Sequence, residues 1–390
     1  MAAASTALDR YPFPVARVGI IGGGQLGRML VKAAKQLGCS CIVVDPTPGS
    51  PAGQVSGQQI VADSHDPQAL LELAEQVDVI TFDIEDIDVA ILAEIAAKGH
   101  HILPSCELLA DIQDKLRQKR LLTRLGIPTA DFIAADQVDT EQLADFGYPL
   151  VQKARRGGYD GRGVVVMKSA ADAGQVLPVP SLLERFVPAE KELAVIVVRG
   201  QDGEVRSYAP VEMCFRPGEN ILDMLLAPAR IEPQTAAAAR RLATEAVTAL
   251  GGVGIFGIEM FLTVDGKLLI NEVAPRTHNS GHYTIEACIT DQFEQHLRAI
   301  TGLPLGVTDQ MLPAAMINLL GAPGASGAPV IQGLRAALAI PGVSVHFYGK
   351  AQTRPFRKMG HVTVLDADID RAREKAEQVR ALLAIGGQNP

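Results

Sequence analysis

The feature that most constrains this chain is an alternation over residues 17–112: apolar RVGII, helix-like LGRMLVKAAKQLG, apolar CIVVD, helix-like PQALLELAEQV, apolar DVITF and helix-like VAILAEIAAKG. Short apolar runs separated by helical stretches specify a parallel sheet covered by helices. Gly38 is placed to cap the first helix. At 390 residues the chain is too long for that unit alone, and ordinary domain sizes allow about two to three domains in all.

A second unit is expected from residue 114, where a charged helix-like run, DKLRQKRLLTRLG, ends at Gly126 and Pro128. Strand-like PLVQKA, GVVVMK, LLERFV and ELAVIVV follow, then VRSYAPVEM, a long helix around TAAAARRLATEAVTAL, and FGIEMFLTVDGKLLINEVAP. In the last of these, Asp265-Gly266 between two apolar runs predicts a hairpin. From about residue 307, AAMINLL, SVHFYGK, HVTVLDA and a final charged helix read as a small α+β cap. The expected division is a tail over 1–16, units over 17–113, 114–306 and 307–390, and a sub-part of the second at about 128–190. The tail carries no motif and is expected to be dispensable.

Lys and Arg total 36 against 44 Asp and Glu, a net charge of -8, so no global positive field exists to gather nucleic acid. No stretch approaches the roughly 18 apolar residues of a membrane span, and the N-terminal residues lack a secretion pattern. The expectation is a soluble, cytoplasmic protein with neither nucleic acid nor membrane as partner. Five cysteines, at 39, 41, 106, 214 and 288, are odd in number and lie in apolar segments, which suits reduced core residues better than disulfides. Cys39 and Cys41 have no second Cys/His pair at a zinc-like distance.

In IIGGGQLG, Gly22, Gly24 and Gly27 have the spacing of a dinucleotide loop, with Asp45 ending the next strand. This fits a nicotinamide-dependent oxidoreductase, and also a tight turn whose helix N-terminus can hold any phosphate. In KARRGGYDGRGVVVMK, Lys153 leads into glycines at 157, 158, 161 and 163 and the chain returns directly to a strand. That pattern makes a glycine flap over polyphosphate, with Lys153 as a point charge, or merely a solvated hairpin. Glu259 and Glu272 fall opposite each other when the hairpin is folded about Asp265-Gly266, with Asn271 adjacent. Facing carboxylates are costly unless a cation joins them, and hard oxygen ligands suit magnesium carried in with ATP.

Lys153 with GGYDGRG, ERFV followed by Glu192, GIEMF, INEVAPR, THNSGHYTIEAC, GGGQLGRM and YGK…RKMGH together resemble the ATP-grasp superfamily. Within it they resemble the 5-(carboxyamino)imidazole ribonucleotide synthase family, from about Val18 to His361. The resemblance implies an α/β protein of three parts: a Rossmann-like pre-ATP-grasp domain, an α+β ATP-grasp domain with a glycine-rich flap, and a small C-terminal α+β domain. It also implies a homodimer. The implied reaction belongs to purine biosynthesis: ATP phosphorylates bicarbonate to carboxyphosphate, which delivers carbon dioxide to the amine of aminoimidazole ribonucleotide.

The resemblance implies roles residue by residue. Lys115 and Lys153 would meet the ATP phosphates beneath Gly158, Tyr159, Asp160, Gly161 and Gly163, while Glu184, Arg185, Phe186 and Val187 would run along the adenine. Glu192 would accept from the ribose hydroxyls. Glu259 and Glu272 would hold magnesium, or manganese in its place, with Asn271 beside them. Arg276, His278 and Asn279, with Lys153, would serve the chemistry at bicarbonate and carboxyphosphate; His278 would either move a proton or only donate a hydrogen bond. Gln25, Leu26, Tyr159, Asp160, Arg162 and Ser280 would surround the ribonucleotide, with Lys350 and Arg357 on its phosphate. Three positions depart from the common family pattern: Asp83 stands for Glu, Lys115 for Arg, and Phe215 near a histidine position; Phe215 is given no role.

Two other enzymes compete with this reading. A formate-using glycinamide ribonucleotide transformylase shares the ATP motifs, whereas a nicotinamide oxidoreductase leaves GGYDGRG and the paired glutamates unused. A non-catalytic nucleotide binder would not need Lys153, Glu259, Glu272 and Arg276 together.

Overall fold

The computed structural model describes residues 11, 13–158, 163–215 and 222–387. In the N-terminal unit, strands Arg17–Ile21, Ser40–Val44, Gln59–Ile60 and Val79–Phe82 form a parallel sheet in the order third, second, first, fourth. Helix Gln25–Gln36 turns Met29, Leu30, Ala33 and Ala34 inward, and Gly38, at φ +73, lies one residue beyond its C-cap. Asp66, Asp88 and Asp114 each accept backbone N–H groups at the starts of helices Pro67–Gln76, Val89–Ala97 and Lys115–Arg124, relieving otherwise unpaired donors.

The sub-part expected near 128–190 is a separate antiparallel sheet, ordered Phe132–Ala135, Ser181–Arg185, Leu150–Ala154, Val164–Met167. It meets the main sheet at a bridge between Thr129 and Ile270, where Ile270 N–H donates to Pro128 O at 2.8 Å.

The main sheet has nine strands, eight of them in the order Leu268–Ala274, Gly254–Thr263, Ala189–Arg199, Val211–Phe215, Leu222–Ala227, Ala314–Leu320, Lys358–Leu365, Val343–Phe347. It runs without a break across the expected boundary at 306/307, because Leu222–Ala227 pairs with Ala314–Leu320. The C-terminal unit thus lengthens the central sheet. Helix Pro233–Leu250 buries Ala239, Ala243, Ala246 and Val247 against Val195, Val197 and Phe256, and helix Ile369–Leu382 buries Ala372, Ala376 and Val379 farther along. Alanine at these contacts lets each helix lie close to the strands. All five cysteines are free, four of them buried. Among the described residues no helix is long and apolar enough to cross a membrane.

The hairpin corrects one detail of its sequence reading. Its loop spans residues 264–266, with Gly266 at φ +79 and Thr263 N–H donating to Lys267 O at 2.9 Å, so Leu262 faces Leu268 and Met260 faces Ile270. This loop is one residue longer than a two-residue turn. A register shift beyond Met260 then inserts Asn271 as an extra residue and brings Glu259 opposite Glu272. Two one-residue offsets cancel, so the expected pair forms by a different route.

Candidate active site

The hairpin, the flap sheet, helix Lys115–Arg124 and the loop after Ala274 enclose a cavity of about 320 Å³, with Glu259, Glu272, Lys115, Arg276, His278 and Asn279 on its wall. Burial and the charge of Glu272 push the Glu259 carboxyl upward. Removal from water would push Glu272 up as well, but the Lys115 ammonium, 2.7 Å from its Oε1, holds it well below the usual carboxylate range. Two facing carboxylates, one of them raised first by burial and then by the charge of the other, are the oxygen donor set that a small divalent cation stabilises. Lys115 brings one positive charge to this pair from the helix side.

His278 is fixed on several sides. The Ser280 backbone N–H donates to its Nδ1 at 3.3 Å, and the Ser280 hydroxyl lies 2.7 Å from the same atom. A backbone N–H can only donate, so the hydrogen-bond network assigns the proton of the neutral ring to Nε2. That nitrogen faces Glu259 Oε1 at 3.4 Å. Gln292, fully buried, accepts from His278 N–H at 2.9 Å and donates to its carbonyl at 2.8 Å. The ring packs directly on the Gly257 backbone, where a Cβ would stand 2.6 Å from His278 Cγ.

Arg276 Nε lies 2.7 Å from Glu85 Oε1, which aims the guanidinium along the cavity wall. Asn279 has both side-chain polar atoms buried with no hydrogen-bond partner. Burying an amide in this way is costly unless a ligand completes it. Behind the wall, Lys153 Nζ lies 2.7 Å from Glu184 Oε2 and donates to Asn271 Oδ1 at 2.8 Å. Glu184 also faces Lys119 at 3.3 Å, whose ammonium burial pushes down to about 8. Glu192 lies on strand Ala189–Arg199 opposite Phe261 and Met213; burial raises its carboxyl, against the pull of Lys153.

Other expected residues stand farther off. The Arg185 guanidinium covers the Phe146 ring at 4.4 Å and donates to Gly147 O, so its side chain turns away from the cavity. Phe186 is exposed, beside Val187 at the end of the flap sheet. Lys350 Nζ donates to Lys358 O at 2.8 Å and Arg357 Nη1 to Gln352 O at 2.7 Å; of this basic group, Lys358 reaches the cavity wall. The loop carrying Lys350 docks on the N-terminal unit, where Gln54 Nε2 donates to Gly349 O at 2.7 Å, near the helix that begins at Gln25 and Leu26. Gly158 borders the cavity and Gly163 follows at φ +71. Tyr159, Asp160, Gly161 and Arg162 lie outside the described residues.

The glycine loop has a use other than binding a dinucleotide. Asp83 is buried beneath it, its Oδ2 accepting from Gly27 N–H at 2.9 Å, and a Cβ on Gly22 would stand 1.8 Å from its Oδ1. Asp45 Oδ2 accepts from Gly23 N–H at 2.8 Å. The glycines make room for the protein's own carboxylate at the helix N-terminus. Burial pushes Asp83 up to about 6.

Sequence reasoning missed Glu85, Gln113, Arg155, Arg156 and the apolar wall of Met213, Phe215 and Leu222, all of which line the cavity. Glu85 was within reach, two residues beyond Asp83 in ITFDIE, as was Arg155, which Asp114 grips at 2.7 Å. The paired hairpin glutamates beside a glycine flap, with lysines entering from a helix and a strand, define an ATP-grasp ligase. Residues 120–293 match the ATP-grasp domain family, 15–113 the ribonucleotide synthetase preATP-grasp domain, and 314–375 the phosphoribosylaminoimidazole carboxylase C-terminal domain. The chain is 43% identical over 379 residues to N5-carboxyaminoimidazole ribonucleotide synthase of Synechococcus elongatus, covering 95% of this chain and 94% of that one. Against the Bacillus subtilis enzyme of that name it is 41% identical, covering 92% and 93%. The Thermotoga maritima synthetase structure superposes with TM-score 0.90 at 50% identity, over 96% of this chain and all of that one. An Aspergillus clavatus synthase solved with ADP and 5-aminoimidazole ribonucleotide gives 0.86 at 36% identity, over 94% and 98%. The chain belongs to the N5-carboxyaminoimidazole ribonucleotide synthase family.

Proposed function

We propose that this protein uses ATP to join bicarbonate to the exocyclic amine of 5-aminoimidazole ribonucleotide, giving 5-(carboxyamino)imidazole ribonucleotide, ADP and phosphate in purine biosynthesis. The observation that carries this reading is the convergence of Glu259, Glu272, Lys115, Arg276, His278 and the unpartnered Asn279 amide on one cavity.

A bicarbonate oxygen attacks the γ-phosphorus, the bond to the bridging oxygen breaks, and ADP leaves. Negative charge then spreads over phosphoryl and carboxyl oxygens, where the Arg276 fork and the His278 Nε2–H donate hydrogen bonds. The carbon–oxygen bond of carboxyphosphate breaks to release carbon dioxide and phosphate. The amine lone pair attacks that carbon, and the departing phosphate takes the amine proton. His278 needs only to donate, because Ser280 occupies the lone pair of Nδ1. Lys115 and Lys153 hold ATP phosphates; Glu272 and Glu259, with Asn271 beside them, suit magnesium or manganese, which when bound supplies positive charge to the transferring phosphoryl group. Gln25, Leu26, Lys350 and Arg357 serve the ribonucleotide. A cytoplasmic homodimer completes the reading, on family likeness alone.

The competing ligase differs only in its acceptor pair. Isotope-labelled bicarbonate should enter the product with 5-aminoimidazole ribonucleotide, while formate with glycinamide ribonucleotide should give no ATP cleavage. The reverse pattern would move the protein to the transformylase reaction.

A further inference from the structure

Lys119 and Glu184 both have side chains only 3% exposed, and Lys119 does not line the cavity. A buried ion pair is costly, and an apolar side chain of similar volume fills such a space at least as well. The placement of this one gives it a purpose. Lys115 and Lys119 are one turn apart on helix Lys115–Arg124, so they share a face. Lys115 reaches Glu272 on the hairpin, while Lys119, one turn deeper, reaches Glu184 on the flap sheet. Glu184 in turn holds Lys153 at 2.7 Å, and Lys153 donates to Asn271, the inserted residue beside Glu272.

Lys119 has a second anchor. Its Nζ donates to Thr129 Oγ1 at 2.5 Å and approaches Ile270 O at 3.4 Å, and Thr129 Oγ1 donates to Ile270 O at 2.7 Å. Thr129 and Ile270 form the bridge where the flap sheet meets the main sheet. One ammonium therefore ties helix, flap sheet and hairpin together behind the cavity.

We propose that Lys119 is a positioning residue for the ATP-dependent step: it fixes the Glu184 carboxylate, and through it sets where the Lys153 ammonium stands relative to Asn271 and Glu272. Lys119 touches no substrate. Without it Glu184 keeps a single cation and can swing with the flap sheet, carrying Lys153 away from Asn271 and Glu272. This inference rests on the ATP reading above.

The test is Lys119→Gln against wild type, with folding checked by circular dichroism and thermal midpoint, and ADP binding by calorimetry measured beside turnover. The KM for ATP should rise roughly tenfold, the scale of one lost coupling between side chains in contact, with the KM for the ribonucleotide unchanged. In a cycle with Glu184→Gln, the double variant should be no worse than the worse single one, because both act through one carboxylate. Lys119→Arg, which keeps the charge, should recover most of the affinity for ATP. An unchanged KM, additive losses, an arginine variant as impaired as the glutamine one, or a glutamine variant that fails to fold overturns the proposal. Wild-type protein that binds no ADP overturns both this inference and the reading beneath it; unaltered variants of an ADP-binding protein overturn this inference alone.

Discussion

Glu259 and Glu272 face each other across the hairpin, and their surroundings divide the cost unequally: Lys115 keeps Glu272 ionised while Glu259 is driven toward its neutral form. The ionised partner matters more for holding a cation. Glu272→Ala should lower turnover by about a hundredfold to a thousandfold, the scale of losing one group that stabilises transition-state charge. Folding should survive, because the change also releases Glu259 from a like charge. Turnover and far-ultraviolet circular dichroism measured on the same preparation check this, and retained activity would remove the proposed metal-ligand role. At this scale the sequence pointed to Glu259, Glu272 and Arg276, and the fold does bring these three side chains onto one cavity. The sequence was opaque where a residue acts from behind the wall. Lys119 sits in a charged run, DKLRQKRLLTRLG, in which nothing distinguishes the buried lysine from the solvated ones.

Among the elements, the hairpin and the loop after it form a single device. The inserted Asn271 re-aims the strand end, and Gly257 on the opposite strand leaves space for the His278 ring. Gly257→Ala puts a methyl group into that ring, so His278 must leave its contact with Glu259. The expected result is a loss of turnover of at least about tenfold at a stability cost of about 1–3 kcal/mol. Steady-state kinetics and urea unfolding on the same variant separate the two effects; unaltered turnover would show that His278 need not stand there. The strand alternation, the first helix and the hairpin could all be read from periodicity. Strand Leu222–Ala227 and helix Gln292–Thr301 could not. The helix buries Gln292, Gln295 and His296 completely, and a periodicity argument counts such polar residues as surface. Their partners, the His278 backbone, Gly306 and Ile255, all lie outside the helix, beyond the reach of its own periodicity.

For the molecule as a whole, the units are joined by polar contacts as well as by the continuous sheet. His296 lies 2.7 Å from Thr81 Oγ1 in the N-terminal sheet and accepts from Ile255 N–H at 3.1 Å in the main one. Burial pushes it down to about 3, and pushes His282 and His361 well below the ordinary imidazole value. A histidine kept neutral by folding gives stability that is fully present above its unfolded pKa, about 6.5, and is lost as pH falls toward the folded value. Below pH ~6 three such residues together remove about 4 kcal/mol per pH unit, against a typical total of about 5–15 kcal/mol. Urea midpoints taken between pH 7.5 and 5 should fall steeply, and His296→Gln should remove about a third of that slope. A flat profile would mean that these histidines do not stay neutral in the folded protein. The three-part order of the chain was legible in the sequence, but the sheet crossing 306/307 was not, since pairing between strands some ninety residues apart leaves no local mark.

ATP-driven carboxylation of an aminoimidazole ribonucleotide can be followed as ADP release from purified protein given magnesium-ATP, with 5-aminoimidazole ribonucleotide and bicarbonate supplied separately and together. Release should require the ribonucleotide and be matched mole for mole by its carboxylation when bicarbonate is present; release indifferent to the ribonucleotide, or none with both substrates, would rule this reaction out.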